Sequence, residues 1–386
     1  MRATYLKTKN TFLIFLVVLA PILHCSCSCN TLLGKSKKGQ YGKIIVLTTG
    51  FNQSSVISNL SNHINNTAIN AGLSKGVIVA PLETIRSEED YHKELSSMHN
   101  RAENLNYYLL QEIEEQGWDK QKNEFVLLGY SEEGLTVLES SEELRKHVNL
   151  TKVILVSVPL DGYDFYNSDY GLSAGAIGEL IMRMRKSTLG HNSTVVEEIT
   201  PGSDYLKKRH AFIESQTGEK DLKFYIAGSS LYKLCFGETS ASNQERIKQL
   251  DKKVSQLFDK VAKKISAKYH KTQTTGNPDD LPGVEEYMRL WRFLEKTDKQ
   301  GFYTVFKILN KGKDHNGKIS LETQLAHHVT NPRIKRQAFD NYSSTLFIPY
   351  KELRNIKDLG LFHEKERTLN NVQLYEELAK FILELE

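Results

Sequence analysis

Cysteine, concentrated charge and long apolar runs are all scarce in this 386-residue sequence. Three of its four cysteines are Cys25, Cys27 and Cys29, so only Cys235 lies in the rest of the chain and we expect no disulfide framework. A formal net charge of +4 is small for this length and argues against a dedicated nucleic-acid surface. No segment approaches the roughly 20 apolar residues of a membrane-spanning helix. A 39% share of hydrophobic residues nevertheless allows a packed core.

The first 30 residues have the pattern of an export signal. The basic residues at the start are Arg2, Lys7 and Lys9. An uncharged and almost wholly apolar run follows at 11–23, and small and polar residues occupy 24–30. This order is typical of a signal peptide, and a retained N-terminal anchor helix is the alternative. We therefore predict an exported protein, with residues 1–29 as the signal and residues 30–42 as a polar linker.

The clustered cysteines leave the form of the mature N-terminus open. A cysteine directly after an apolar core is similar to a bacterial lipoprotein site, which would attach the protein to a membrane through a lipid. His24, directly before Cys25, fits that site poorly, so cleavage without lipidation is equally well supported. Metal binding by the C-x-C-x-C pattern lacks a matching cluster of histidine or cysteine later in the chain.

Alternation of strands and helices predicts the fold class. Five short runs rich in β-branched residues are typical of strands that are buried on both faces. They are 43–48, 124–130, 152–159, 222–228 and 345–350. Apolar residues at three- and four-residue steps predict one long helix over 95–113, ended by Gly117, and a C-terminal helix over 372–385. The expected architecture is α/β, with a doubly wound, mainly parallel sheet.

Two segments, at about 162–221 and 242–307, fit poorly as layers of this sheet. The second is strongly helical in its periodicity, and its other face is rich in Lys, Asp and Gln. A lid over a pocket and a decorative helical hairpin explain this pattern equally well. We predict one α/β domain over 43–386 that carries these two helical cap or lid insertions.

The segment 125–134, FVLLGYSEEG, carries the strongest chemical signal. A serine hydroxyl is a weak nucleophile until a base takes its proton, and a sharp turn between a strand and a helix projects the hydroxyl beside helix N-terminal amides. This segment resembles the G-x-S-x-G elbow of the α/β-hydrolase superfamily, in its lipase and esterase branch. Gly129 to Glu132 match the first four places, whereas Glu133 occupies the fifth and Gly134 follows it. The resemblance implies that Ser131 is the nucleophile.

Other segments resemble the same family in the same order, from residue 43 to the C-terminus. They are 45–52, 156–163, 200–206 and 316–323. The last of these, NGKISLET, is similar to the loop of the catalytic acid, but Asn316 stands at the place of the family's aspartate. Asn orients an imidazole far less well than a carboxylate does. We therefore assign the acid to Asp314, two residues earlier.

The chain order Ser…Asp…His of this family requires a histidine beyond residue 314. We assign the base to His363, which precedes the C-terminal helix as the family's histidine does. The other candidates for the base are His315 and the pair His327–His328. A surface role is the alternative for all four.

The resemblance implies hydrolysis of carboxylic esters, of small molecules or of lipids, through an acyl-enzyme on Ser131. Backbone N–H groups of Glu132 and of Phe51 or Asn52 would form the oxyanion hole. No cofactor or metal is implied, since the dinucleotide and phosphate-binding glycine motifs are missing. The competing hypothesis is a catalytically silent scaffold used for binding at the cell envelope, favoured by Glu133 and Asn316.

The N-x-[ST] sequons bear on the compartment. One of the six begins at Asn52, where a glycan would block the predicted oxyanion hole. We therefore predict a bacterial protein of the periplasm, the cell envelope or the extracellular medium rather than a glycosylated eukaryotic one.

Overall fold

The computed structural model describes most of the chain beyond residue 42. The described residues are 43–49, 54–73, 76–82, 87–164, 189, 193–236, 240–269, 299–316, 319–340 and 372–385. All of them belong to one compact unit, Lys37–Glu386. The predicted signal and linker, the predicted strand at 345–350, and the predicted site residues Phe51, Asn52 and His363 lie outside the described residues.

In the described residues, six strands form one parallel sheet in the order β2-β1-β3-β4-β5-β6. The strands are β1 Ile44–Thr49, β2 Val77–Pro81, β3 Glu124–Tyr130, β4 Leu150–Val156, β5 Lys223–Ser230 and β6 Ile334–Asp340. The four interior strands were predicted from their apolar runs. The edge strands β2 and β6 were missed. The outer strand β6 reads IKRQAFD and is largely exposed or half-buried, so it lacks the continuous apolar run that marks an interior parallel strand.

Eleven helices are present in the described part of the chain. They are α1 Ser54–Asn70, α2 Glu88–Ser96, α3 Met98–Glu115, α4 Glu133–Leu144, α5 Val195–Glu198, α6 Asp204–Ser215, α7 Tyr232–Phe236, α8 Ala241–Tyr269, α9 Lys299–Leu309, α10 Leu321–Leu325 and α11 Val372–Leu383. None of these helices combines the length and the apolar character needed to cross a bilayer. The C-terminal helix and the helical character of the second insertion are confirmed where the structure describes them.

The single long helix predicted over 95–113 is wrong. The helix is interrupted at Ser97, between α2 and α3, where the backbone is extended with φ −157° and ψ 160°. The Ser97 Oγ atom accepts the N–H of Asn100 at 3.0 Å and so caps α3. The apolar spacing runs across the break although Leu95 of α2 is only half-buried and Met98 of α3 is buried. Gly117, with φ +64°, follows the end of α3 as predicted.

Helices cover both faces of the sheet. Strand residues of one parity, such as Val46, Val126 and Ile154, form one buried cluster with residues of α1 and α11. Residues of the other parity, including Gly129, face α4, because a Cβ on Gly129 would lie 3.0 Å from Val137 of that helix. Since successive residues of a strand point to opposite faces, the sheet is buried on both sides. The doubly wound prediction is confirmed.

Candidate active site

Ser131 lies at the point where the strand order reverses. The chain passes from β1 to the edge strand β2 and then returns to place β3 on the other side of β1. In open α/β sheets, ligands bind outside the carboxyl ends of the strands at such a reversal. Thr49, the last residue of β1, is paired in register with Gly129, two residues before Ser131. The carboxyl end of β1 therefore lies next to the end of the strand that leads to the predicted nucleophile.

The turn at Ser131 is sharp and strained. Its φ angle is +58°, in the left-handed region that a residue with a side chain rarely adopts. The Ser131 N–H donates to the Val156 carbonyl at 2.9 Å, and the Ser131 carbonyl accepts the N–H of Gly134 at 3.0 Å, so helix α4 begins at once. A strained residue between a strand and a helix, at the reversal of a doubly wound parallel sheet, has the elbow geometry of one fold.

The chain has the α/β-hydrolase fold.

A second serine, Ser157, has a similar left-handed backbone, with φ +53°, directly after β4. Its side chain is fully buried, and its hydroxyl lies 2.7 Å from that of Ser229. Ser131 is partly exposed instead. Only the Ser131 hydroxyl of this pair is therefore placed to meet a substrate.

Gly134 supplies the close approach that the motif appeared to lack. A Cβ on Gly129 would lie 2.6 Å from Gly134 Cα, and a Cβ on Gly134 would overlap the side chain of Val158. Both glycines let α4 pack directly on the end of β3 and the segment after β4. Glu133 in the fifth place of the motif therefore does not prevent the close approach, because the contact is made one residue later.

Arg101 forms ion pairs with the two acidic residues that follow Ser131. Its Nη1 atom lies 2.8 Å from Glu132 Oε1 and 3.9 Å from Glu133 Oε1. Arg101 and Glu132 are both buried, and the Tyr163 hydroxyl donates to Glu132 Oε2 at 3.3 Å. A buried pair of this kind is costly to break, because removal of one partner leaves the other charge unpaired. Arg101 therefore offsets part of the negative charge beside Ser131, so these acidic residues would repel a negatively charged oxygen there less than the sequence implies.

Sequence analysis did not identify Arg101 as part of this region. A signal was present, because Arg101 stands within the apolar stripe of α3 between Met98 and Leu105. A charged residue on the core side of an amphipathic helix is rare unless it has a buried partner.

Asp314 lies at the carboxyl end of β5. Its Oδ2 atom accepts the hydroxyl of Ser230, the last residue of that strand, at 2.6 Å. Its Oδ1 atom accepts the Tyr303 hydroxyl at 2.7 Å and the backbone N–H of His315 at 2.8 Å. The long insertion after β5 thus returns the predicted acid to the same edge of the sheet as Ser131, two strands away.

Asn316, which occupies the position of the family's aspartate, forms hydrogen bonds within the fold. It is buried, its Oδ1 accepts the N–H of Ile319 at 3.1 Å, and its Nδ2 donates to Ser229 Oγ at 3.4 Å. These bonds close the turn that leads into α10. Asp314 is therefore the carboxylate that this loop presents near the end of β5.

The described histidines beyond residue 314 differ sharply in environment. His315 is fully buried, lies 2.8 Å through Nε2 from the Tyr303 carbonyl, and stacks on the Tyr303 ring at 4.4 Å. Burial lowers the pKa of His315 to about 4, so this imidazole is neutral and structural. His327 is exposed, and His328 lies beside Asp161 and His210. The structure brings Ser131 and Asp314 to one edge, and the assignment of His363 stays a prediction.

Comparisons with known proteins give only distant structural similarities. No model of a protein family and no curated protein sequence matches this chain. Among solved structures, phospholipase PlaB from Legionella pneumophila matches with 12% identity, a TM-score of 0.35, and coverage of 53% of this chain and 42% of that one. Bacillus licheniformis lipase BlEst2 in its propeptide form matches with 16% identity, a TM-score of 0.29, and coverage of 51% and 41%. A metagenomic carboxyl esterase, MGS0156, matches with 10% identity, a TM-score of 0.28, and coverage of 51% and 55%.

The chain spans about two fifths of the length of PlaB. At these TM-scores the likeness adds nothing to what the strand order and the Ser131 turn establish.

Proposed function

We propose that this protein is a serine hydrolase that cleaves carboxylic esters through an acyl-enzyme on Ser131. The left-handed backbone of Ser131 at the reversal of the sheet is the observation that carries the proposal. Strained backbone persists where the surrounding structure holds it, and such positions cluster at active sites. Here Gly129, Gly134 and the Val156 carbonyl hold it.

The proposed reaction has two steps. The Ser131 hydroxyl attacks the ester carbonyl and gives its proton to His363, and the alcohol departs with that proton, which leaves an acyl-serine. A water molecule, deprotonated by the same imidazole, then attacks the acyl group, and the acid is released as Ser131 regains its proton. Asp314 would orient the imidazole and stabilise its positive charge.

Backbone amides would stabilise the negative charge on the carbonyl oxygen. The N–H of Glu132 belongs to the residue after the nucleophile, where the first turn of α4 begins. The second donor would be Phe51 or Asn52, in the loop that follows Thr49. The register of Thr49 with Gly129 supports this assignment, because it brings that loop to the same edge of the sheet as Ser131.

We propose small-molecule or lipid esters as the substrate class. Ester cleavage is also the activity named for the phospholipase, lipase and esterase structures similar in fold, although their TM-scores do not narrow the choice. The alternative is a catalytically silent scaffold for binding at the cell envelope. The three donors already on the Asp314 carboxylate favour this alternative, because they compete with a catalytic imidazole for its lone pairs.

A fluorophosphonate probe separates the two proposals, since only an activated serine is labelled. We expect the wild-type protein to be labelled and to hydrolyse p-nitrophenyl esters, and Ser131→Ala to lose the label and at least about 10³-fold of the rate. Ser157→Ala is the matched control, because Ser157 has the same left-handed turn after the neighbouring strand but is buried. It should keep the label. Absence of labelling in folded wild-type protein, checked by circular dichroism, would establish the silent scaffold instead.

A further inference from the structure

Three side chains from distant parts of the chain converge beside the end of β4. Asp161 lies in the loop after that strand, His210 is in α6, and His328 lies between α10 and β6. Each offers an atom that binds metals, and the three atoms lie within 4.8 Å of one another. The sequence does not reveal this group, because His210 and His328 alone are 118 residues apart.

The spacing of the three atoms fits a single ion. His328 Nε2 lies 3.4 Å from His210 Nδ1 and 3.5 Å from Asp161 Oδ1. A tetrahedral Zn²⁺ with bonds of about 2.0–2.1 Å holds its ligand atoms about 3.3–3.4 Å apart. These two separations are therefore close to those of a loaded site. Asp161 Oδ1 lies 3.3 Å from Nε2 of His210, so the ring or the carboxylate has to shift before Nδ1 and Oδ1 can share the ion.

The backbone sets the tautomer that a ligand histidine needs. His210 Nε2 lies 2.8 Å from the carbonyl oxygen of Leu160, which can only accept a hydrogen bond, so the proton belongs on Nε2. The lone pair of Nδ1 then faces His328. Donation of the second ring N–H to a carbonyl or carboxylate is the usual support of a metal-binding histidine.

Asp161 Oδ1 lies 3.3 Å from His210 Nε2 and 3.5 Å from His328 Nε2, but neither contact has the geometry of a hydrogen bond. Its Oδ1 atom is buried and accepts no hydrogen bond from the described part of the chain. A buried carboxylate oxygen without a hydrogen bond is costly. A cation between Asp161 and the two imidazoles would supply the missing partner.

We propose that Asp161, His210 and His328 form a site for a divalent transition metal, with Zn²⁺ as the preferred ion. Two imidazole nitrogens and one carboxylate oxygen are a donor set that suits zinc rather than calcium or magnesium. The His328 side chain is 58% exposed, so the ion has a route from solvent and a water molecule can complete its coordination. The ion would join the loop after β4, α6 and the approach to β6. This site does not depend on the proposed chemistry of Ser131.

Zinc titration of the purified full-length chain, after removal of metals with EDTA, tests the proposal. By calorimetry we expect wild-type protein to bind one more equivalent of Zn²⁺ than His210→Ala or His328→Ala does, with at least about a 10-fold loss of affinity at this site in each variant. Zn²⁺ should also raise the Tm of the wild-type protein and not that of either variant. The comparison with wild type matters because the cysteines at 25, 27 and 29 are retained in every protein.

His99→Ala is the matched control. Its ring nitrogens lie 2.9 Å from Glu139 and 3.4 Å from Glu103, so it is also a histidine among carboxylates, but without a second imidazole. It should bind zinc as wild type does. His328→Ala keeps the test decisive if His210→Ala fails to fold, since His328 is exposed. Equal zinc binding and equal Tm shifts in wild-type and His328→Ala proteins would overturn the proposal.

Discussion

The tightest packing at the elbow is between Gly134 and Val158. A methyl group on residue 134 would overlap the Val158 side chain and force α4 away from the strand that carries Ser131. We expect Gly134→Ala to lower the free energy of unfolding by about 1–3 kcal/mol, as overpacking does, and to lower any esterase rate as the turn shifts. Urea denaturation of the single variants and of Gly134→Ala combined with Val158→Ala measures this.

In that combined variant, the shortened side chain should recover part of the loss, so the two effects should not add. Gly76→Ala is the control, because a Cβ there meets nothing within 4 Å. A Gly134→Ala protein as stable as Gly76→Ala would show that α4 does not need this contact.

His315 makes a pH-dependent contribution to stability. Its pKa is about 4 in the folded protein because burial disfavours the charged form, and about 6.5 in the unfolded chain. Below about pH 6.5, His315 binds a proton in the unfolded chain but not in the folded protein. The free energy of unfolding therefore falls as the pH decreases towards 4. The full effect of this group is on the order of 3 kcal/mol.

We expect the difference in unfolding free energy between pH 7 and pH 4.5 to be smaller in His315→Gln than in wild type. The difference between the two proteins is the useful quantity, because burial raises the pKa of Asp161 and so gives that carboxylate the opposite dependence. His147→Gln, at an exposed histidine, is the control. Parallel pH profiles for wild type and His315→Gln would contradict the assignment of a neutral, buried His315.

At the scale of elements, the start of α3 shows how one serine divides a continuous apolar pattern. Ser97 Oγ accepts the Asn100 N–H, and Glu198 of α5 accepts the Met98 N–H through Oε2 at 2.7 Å. These bonds satisfy two of the orphan donors at a helix N-terminus. We expect Ser97→Ala to cost about 1 kcal/mol in thermal unfolding, whereas Ser97→Asn, which keeps an acceptor, should cost a few tenths. Equal losses for both variants would show that the cap is not what positions α3.

The second insertion is tied to the predicted acid through α9. Tyr303 of that helix donates its hydroxyl to Asp314, and its ring stacks on His315. A lid function for the insertion is still a prediction, but α9 is part of the wall around Asp314. The described helices α8 and α9 also pack on each other, so the insertion is anchored to the loop that carries the acid.

At the scale of the whole molecule, the untested prediction is export. The basic start and the short apolar core at 11–23 predict removal of the signal between about residues 23 and 30. Mass spectrometry of the mature protein from a secretion-competent bacterial host should find an N-terminus in that interval, with an added lipid mass if a cysteine becomes the first residue. Protein that retains Met1 in the soluble cytoplasmic fraction would contradict it.

The sequence by itself determined the interior of the sheet and the place of Ser131. Interior parallel strands are buried on both faces, so β1, β3, β4 and β5 are visible as apolar runs without any knowledge of their neighbours. The turn after β3 is equally local, since a serine between a strand and a helix is encoded within ten residues. Asp314 could be proposed from the order of the family's segments, but not its contacts with Ser230 and Tyr303.

Only the tertiary structure decided the features that depend on partners far along the chain. The outer strand β6 contains several polar residues and no continuous apolar run. Its place in the sheet is established only by its pairing with β5. The motif shows only that Glu133 occupies the place of a glycine. The contact between Gly134 and Val158 joins segments that follow two neighbouring strands, so the motif does not reveal it. The pairing of Arg101 with Glu132, and the meeting of Asp161 with His210 and His328, arise because separate elements bring these side chains together. Local periodicity reports which face of an element is buried, but it does not report which distant residue it is buried against.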